Sequence, residues 1–200
     1  QQSFSYDDIG RIASVTDSEG YTLRYQYDAL NRLTSIRYPD NSETTLVWNK
    51  LDLASITDRE GKTTTYEYDA NRNLIQETDP LGHVLQYSYY PNGDLKTLTD
   101  KNGNTTTWVR DIQGRVMAKT YADYQGYKLR YDSAGRLIEK QDALDQRIVY
   151  RYNVANLLTE KRYEDTLNPT ANVQFSYDAI YPRPSKVTDT LGETLYQYHQ

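Results

Sequence analysis

The sequence contains no cysteine among its 200 residues. Disulfide bonds, thiolate metal sites and a cysteine nucleophile are therefore excluded. No apolar run approaches the roughly 18 residues that a membrane-spanning helix needs. The first residues, Gln-Gln-Ser-Phe-Ser, do not form a signal peptide. We therefore expect any export of this segment to be directed by sequence outside it.

Large apolar residues and positive charge are also scarce. Hydrophobic residues make up 37% of the chain, and the formal net charge is −5, which argues against nucleic acid as the main partner. Phe and Trp occur only twice each, whereas Tyr occurs 21 times. Disordered chains are poor in aromatic residues, and a chain rich in Tyr and Thr favours a broad, thin β-sheet over a thick core.

The main feature that is present is an internal repeat. Successive repeats start at the first residue of a Tyr-Asp-like pair, and the spacing is 21 residues apart from one interval of 20 and one of 25. The starts are Tyr6, Tyr27, Trp48, Tyr68, Tyr89, Arg110, Tyr131, Tyr152 and Tyr177, with Tyr198 opening another. This pattern predicts one array of about nine repeats over residues 1–200, with both ends truncated from a longer protein.

Each repeat contains a first turn signal directly after its start. The second position holds Asp or Asn, whose side chains bond the backbone two residues on, and the fifth holds a residue type that tolerates positive φ. The second positions are Asp7, Asp28, Asn49, Asp69, Asp111, Asp132, Asn153 and Asp178, with Tyr90 as the exception. The fifth positions are Gly10, Asn31, Asp52, Gly93, Gly114, Gly135 and Asn156. Arg72 breaks this pattern, so its turn is expected to differ.

A second turn signal lies halfway along the repeat and places an Asp three residues before a Gly. It occurs at Asp17–Gly20, Asp58–Gly61, Asp79–Gly82, Asp100–Gly103, Asp123–Gly126 and Asp189–Gly192, with variants at Asp40-Asn41 and Asp142–Asp145. All ten glycines of the chain are thereby assigned to turns. The segment around Tyr181–Pro184 departs from the period, which indicates an inserted loop.

Between the turns, side chains alternate with the period of a half-buried strand. Tyr25 and Tyr27 share one face with Leu23, and the equivalent aromatic positions are Trp48, Tyr66, Tyr68, Tyr87, Tyr89, Trp108, Tyr131, Tyr150, Tyr152, Tyr177, Tyr196 and Tyr198. We expect the rings to pack on one another while their hydroxyls meet water. On the other strand, Ile12 and Val15 are three apart, so they share a face only if a bulge intervenes.

The chain is therefore predicted to be all-β, with tandem antiparallel hairpins of about 21 residues. About 18 strands exceed the roughly ten that an open twisted sheet usually holds, so the sheet is expected to curl or spiral. Stability should rise with the number of repeats. Open edges at both ends would favour self-association.

The segments Tyr131-Asp-Ser-Ala-Gly-Arg-Leu137, Tyr6-Asp-Asp-Ile-Gly-Arg-Ile12 and Thr78-Asp-Pro-Leu-Gly82 closely resemble the YD repeat, also called the Rhs repeat. This repeat is shared by bacterial Rhs polymorphic toxins, the B and C components of Tc toxins and, more distantly, teneurins. The resemblance implies a spiral sheet that forms a hollow shell. In the bacterial members, this shell encloses a C-terminal toxin domain, so the implied partners are the other repeats and that domain. The implied location is secreted or on the bacterial cell surface.

No catalytic, cofactor or metal site is expected. The two histidines, His83 and His199, have no partners that spacing can place as a triad, and no EF-hand-like loop is present. Asp79-Pro80-Leu81-Gly82 partly resembles the autoproteolysis region of Rhs proteins, but His83 follows where Leu is expected, so we interpret it as a turn. Paired carboxylates such as Glu67 and Asp94 have no distinguishing pattern. The alternative function is a carbohydrate- or receptor-binding adhesion module that uses the Tyr-rich face.

Overall fold

A computed structural model of the protein describes residues 2–164 and 170–198. This part of the chain contains 19 β-strands and no α-helix, which confirms the predicted all-β class. None of its segments is a helix long and apolar enough to span a bilayer. The chain divides into two compact halves, the first ending at Asn104 and the second beginning at Thr105.

The N-terminal half is a meander in which each strand pairs antiparallel with the next in sequence. Its strands are β1 (Ser3–Tyr6), β2 (Ile12–Thr16), β3 (Thr22–Tyr27), β4 (Leu33–Arg37), β5 (Glu43–Asn49), β6 (Asp52–Thr57), β7 (Thr63–Tyr68), β8 (Leu74–Thr78), β9 (Val84–Tyr89) and β10 (Leu95–Thr99).

The C-terminal half repeats the same antiparallel meander. Its strands are β11 (Thr105–Arg110), β12 (Val116–Thr120), β13 (Gly126–Tyr131), β14 (Leu137–Asp142), β15 (Arg147–Tyr152), β16 (Leu158–Glu164), β17 (Val173–Tyr177), β18 (Pro184–Asp189) and β19 (Gly192–Leu195).

A bulge lies at the same place in each of the nine hairpins formed by an odd-numbered strand and the next one, within the described residues. In the first hairpin Ser5 pairs with Ser14 whereas Tyr6 pairs with Ile12, so Ala13 has no opposite residue. The same register shift recurs in the other eight hairpins. An extra residue on one strand reverses the alternation once. Ile12 and Val15 therefore share a face, as the sequence required.

In seven of the nine repeats, the first turn places its fifth residue in the left-handed region. In the turn Asp132–Gly135, the Gly135 N–H donates to the Asp132 carbonyl at 3.0 Å, and Gly135 has φ +82°. The prediction for Arg72 was wrong, because its N–H donates to the Asp69 carbonyl at 3.0 Å and its φ is 68°. Arg72 thus occupies the ordinary turn geometry despite its Cβ.

One predicted turn was misplaced, and others form at the predicted residues with a different geometry. Asp52 lies in β6 and pairs with Asn49 across a two-residue turn, in which Lys50 has φ 54°. Gly126 lies in β13, and the turn before it places Tyr124 at φ 63°. The turn at Asp40-Asn41 forms as predicted and starts from Tyr38, and Asp189 and Gly192 form the closing pair of the turn predicted between them. By contrast, Asp145 takes the predicted turn position at φ 61°.

Neither half has a buried hydrophobic core. No described hydrophobic side chain is buried, and Ser35 is the one buried polar residue, at 4% exposure. The accessible surface is 14006 Å², whereas a compact monomer of 23.3 kDa would expose roughly 9,700 Å². Within each half, strands contact only their neighbours in sequence. Both faces of each sheet are therefore accessible to a partner.

Candidate functional site: the junction between repeats

The backbone ladder between two consecutive hairpins is short. Between β2 and β3 it contains three pairs, from Ser14–Arg24 to Thr16–Thr22. Three-pair ladders also join β4 to β5, β6 to β7, β8 to β9, β12 to β13 and β14 to β15. The ladder stops at the bulge, two residues short of Ile12. Other contacts must hold one repeat to the next there.

A side-chain hydrogen bond continues the connection beyond the ladder. The Tyr27 hydroxyl donates to the Ile12 carbonyl at 3.0 Å, and Trp48 makes the equivalent bond to the Leu33 carbonyl through its indole N–H at 2.8 Å. The same hydroxyl bond is made by Tyr89, Tyr131, Tyr152, Tyr177 and Tyr198, at 2.7 to 3.1 Å. The aromatic residue that starts each of these repeats therefore anchors it to the preceding one.

This finding corrects the expectation that the tyrosine hydroxyls of this face meet water. The hydroxyls of six tyrosines at repeat starts bind backbone carbonyls instead. The second aromatic set of the same face comprises Tyr25, Tyr66, Tyr87 and Tyr150, and no described residue accepts or donates a hydrogen bond at their hydroxyls. Partial burial raises the pKa of Tyr66, Tyr87 and Tyr150. The two aromatic positions of a strand thus have different roles.

The Asp side chain at the second position of a repeat stabilises the backbone of the first turn. Oδ1 of Asp132 accepts hydrogen bonds from the N–H groups of Ala134 at 3.0 Å and Arg136 at 2.9 Å. Its Oδ2 accepts from Nε of Arg136 at 2.7 Å. Because these bonds favour the ionised form, the pKa of Asp132 lies below its usual 3.8. Asp7, Asp28 and Asp111 have the same contacts with Arg11, Arg32 and Arg115.

The arginine four residues after the turn Asp connects that turn to the next repeat. The Arg136 guanidinium lies 5.1 Å from the centre of the Tyr152 ring, and it donates to Oδ1 of Asn156 at 2.8 Å. The equivalent stacks are Arg11 on Tyr27, Arg32 on Trp48 and Arg115 on Tyr131, and Arg183 covers Tyr198 despite the inserted loop. No role was predicted for these arginines from the sequence, although their offset of four residues from Asp recurs in it.

One junction is built in the reverse direction. The repeat that starts at Trp48 has a two-residue turn and carries no arginine at the usual offset. Instead, Arg72 of the following repeat donates through Nε to Oδ1 of Asp52 at 2.8 Å and through Nη2 to the Leu51 carbonyl at 3.2 Å. The left-handed conformation of Arg72 therefore coincides with a compensating link to the preceding turn.

The other predicted positions lie in turns or at the array ends. The Gly82 N–H donates to the Asp79 carbonyl at 2.9 Å, and Nδ1 of His83 lies 2.8 Å from Oδ2 of Asp79, so this segment forms the same turn as its counterparts. Tyr6 is 61% exposed in β1, and Tyr196 is 44% exposed. His199 lies outside the described residues. Within those residues, no group of three or more His, Asp or Glu side chains could hold a metal ion.

The sequence matches a family model described as RHS Repeat at residues 6–43, 48–84, 89–125 and 131–167. Each match covers nearly two hairpin repeats. A comparison with curated proteins gives no match.

The fold is similar to that of solved toxin complexes. The crystal structure of TcdB2-TccC3 aligns with a TM-score of 0.53 and 15% identity, over 93% of this chain and 13% of that one. The Photorhabdus luminescens Tc holotoxin pore gives a TM-score of 0.51 and 16% identity, over 93% of this chain and 12% of that one. The chain therefore spans about an eighth of the length of these proteins.

Proposed function

The chain belongs to the RHS repeat family, and we propose that it forms a section of the wall with which a longer, secreted bacterial protein encloses a C-terminal toxin domain. In this role the chain has no catalytic site of its own. Its role is structural: each repeat adds a hairpin to the sheet, and the sheet presents one aromatic face.

The repeated junction is the observation that carries this proposal. A bulge recurs in all nine described hairpins. Seven junctions have an aromatic side chain bonded to a carbonyl of the preceding repeat, and five of these add an Asp-Arg pair stacked on the aromatic ring. Such nearest-neighbour contacts allow a sheet to grow by adding repeats without a central core. The absence of a buried core in the described residues leaves each sheet with a face that another domain can cover.

The proposed partners are further repeats of the same protein and the enclosed domain. The structural neighbours are several times longer than this chain, so a complete wall needs many more hairpins than the nine described. The TcdB2-TccC3 structure and the holotoxin pore are toxin complexes, and the proposed toxin cargo of this chain extends that relationship.

The alternative of a glycan-binding adhesion module has less support. Sugars stack on exposed aromatic faces, but arginine guanidinium groups already lie over the rings of Tyr27, Trp48, Tyr131 and Tyr152. The second aromatic set, with Tyr25 and Tyr150, would have to provide the binding surface. A glycan array with the 200-residue chain tests this alternative, because reproducible sugar binding that is lost on Tyr150→Ala would favour adhesion over enclosure.

Limited proteolysis of the longer protein that contains this chain tests the proposal. The C-terminal domain should resist a protease at concentrations that digest the same domain expressed alone. Deletion of residues 131–151, one whole 21-residue repeat, should shorten the wall and expose the domain. As a control, a Ser133→Ala variant in an exposed turn should leave protection unchanged. Digestion of the domain at equal rates in the intact protein and alone would refute enclosure.

A further inference from the structure

One position of the aromatic face differs between the two halves. In each even-numbered strand it is the fourth residue, except in β6, where it is the fifth. In the N-terminal half this position holds Val15, Ile36, Ile56, Glu77 and Leu98, whereas the C-terminal half holds Lys119, Lys140, Lys161 and Val187. We call Lys119, Lys140 and Lys161 the lysine row.

Strand register places the lysine row on the aromatic face. Lys119 pairs with Trp108 and Tyr127, Lys140 pairs with Leu129 and Ile148, and Lys161 pairs with Tyr150 and Val173. All three side chains are partly buried. Three cations therefore lie among aromatic and aliphatic side chains, on a face whose other charged strand residues include Arg110 and Asp142.

The ammonium groups of the lysine row lie against aromatic rings and not against carboxylates. Nζ of Lys119 is 5.2 Å from the Trp108 ring and 4.6 Å from the Tyr121 ring. For Lys140 the distance to the Tyr127 ring is 5.4 Å, and Lys161 lies 5.8 Å from the Phe175 ring. Among the described residues, none of the three forms an ion pair. Their positive charge is held in place without being neutralised.

The opposite face of the same half contrasts with this arrangement. Three of its cations are paired across strands with acidic residues: Arg130 with Glu139 at 2.6 Å, Arg151 with Glu160 at 3.3 Å and Lys186 with Glu193 at 2.9 Å. The lysine row has no such ion-pair partner among the described residues. An acidic partner could therefore bind the lysine row without displacing an ion pair, although the whole chain is acidic at −5.

The spacing of the lysine row suits an extended polypeptide. The three lysines lie on β12, β14 and β16, so neighbours are separated by two strand spacings, about 9.6 Å. Lys119 pairs with Tyr127 whereas Lys140 pairs with Leu129, and this offset of two residues increases the separation to about 12 Å. An extended chain rises about 3.3 Å per residue, so a carboxylate at every third or fourth residue would meet successive lysines.

We propose that the lysine row is a docking strip for an acidic, extended segment of the enclosed polypeptide. The inference rests on the proposed function, because it requires a polypeptide against the aromatic face. Partial burial among rings reduces screening of the ammonium groups by water and salt, which strengthens their attraction to carboxylates. Nucleic acid is disfavoured by the acidic chain as a whole and by ring faces that the ammonium groups already occupy.

Fluorescence anisotropy with the 200-residue chain tests the docking strip. The probe is a labelled 16-residue peptide with Glu at every fourth position, which is about 53 Å long when extended and therefore spans the row of about 24 Å. Its partner probe has Gln at those positions. The Glu peptide should bind at least tenfold more tightly. The triple variant Lys119→Gln, Lys140→Gln, Lys161→Gln should lose this preference, and the matching triple change to Arg should retain it.

A second triple variant controls for net charge. Lys50, Lys101 and Lys128 are exposed, in turns and on the opposite face, and their change to Gln alters the net charge by the same amount. This variant should keep binding within twofold, and thermal melts of all triples verify folding. Equal losses in both Gln triples, no preference for the Glu peptide, or tighter binding of a single-stranded DNA of equal charge would overturn the proposal. Protease protection in the longer protein without peptide binding would reject the docking strip and leave enclosure standing. The converse result would reject enclosure, and with it the enclosed polypeptide as the occupant of the strip.

Discussion

The hydroxyl of Tyr152 donates a hydrogen bond of 2.8 Å to the backbone carbonyl of Leu137. The ladder between β14 and β15 ends at the pair Glu139–Val149, so the tyrosine side chain connects the two strands where their backbones no longer pair. The bulge allows the first-turn end of the hairpin to separate from its neighbour, and the hydroxyl bridges the separation. Each such bond joins one repeat to the next.

Replacement of Tyr152 by Phe should destabilise the chain. The change removes the hydroxyl and leaves the ring, so the expected loss is that of one hydrogen bond, about 0.5–1.5 kcal/mol in the free energy of unfolding. Urea denaturation followed by circular dichroism measures it. The matched control is Tyr150→Phe, on the same strand and face but with no hydroxyl partner among the described residues, which should change stability less. Equal effects from both variants would contradict the role of the bond.

Replacement of Arg136 by Gln should lower the melting temperature more than replacement of Arg130 by Gln. Arg136 contacts the Asp132 carboxylate, the Tyr152 ring and Asn156, whereas Arg130 forms one exposed ion pair with Glu139. An exposed cation–π contact alone contributes about 0.5–1 kcal/mol to the free energy of unfolding. In a chain of this size, a loss of 1 kcal/mol lowers the melting temperature by about 2–4 °C. A larger decrease in melting temperature for Arg130→Gln than for Arg136→Gln would show that Arg136 does not stabilise the junction.

Replacement of Gly126 by Ala should destabilise the hairpin of β12 and β13. A Cβ at this position would lie 1.9 Å from the Lys119 carbonyl oxygen, so the backbone must shift. We expect a loss of about 1–3 kcal/mol, as for other overpacked sites. Gln125→Ala, at the exposed neighbouring position, is the control and should be nearly neutral in the same denaturation experiment. A neutral Gly126→Ala would show that the strands separate easily at this point.

Stability should fall with acidification below the ordinary pKa of the turn aspartates. Hydrogen bonds from the Arg32 side chain and backbone lower the pKa of Asp28 below 3.8. The pKa of Asp132 is also lowered, and the largest contribution is a hydrogen bond from the Arg136 backbone N–H. A carboxyl whose pKa is lower in the folded state stabilises folding above its unfolded pKa. That contribution is lost as the pH falls through the folded-state value. Melting temperatures measured from pH 6 to pH 2 should therefore be level at first and decrease below about pH 4.

Replacement of two turn aspartates by asparagine separates this effect from general acid denaturation. In the double variant Asp28→Asn, Asp132→Asn, two of the turn carboxylates no longer titrate. The decrease in melting temperature between pH 4 and pH 2 should be smaller than in the parent chain, although the variant starts from a lower value. An identical slope would mean that other carboxylates account for the acid sensitivity.

Local sequence chemistry was enough to predict the strands and most of the turns. Asp or Asn followed three residues later by Gly or Asn encodes a turn through short-range hydrogen bonds and φ preference, as Asp132–Gly135 shows. Such encoding fails where the residue type does not reveal its φ. Tyr124 and Arg72 adopt positive φ although their Cβ atoms disfavour it, and Gly126 lies in a strand although glycine usually indicates a turn.

The sequence by itself determined the repeat length, the hairpin composition and the aromatic face, because these depend on contacts between residues close together in the chain. Only the tertiary structure decided what joins one repeat to the next, namely the bond from Tyr152 to Leu137 and the contacts of Arg136, and that the lysine row lies against aromatic rings. The contacts of Tyr152 and Arg136 bring together residues 15 to 20 positions apart across a bulge whose register shift decides which atoms meet. Periodicity reveals that such residues recur, whereas the distances between their atoms follow only from the paired strands.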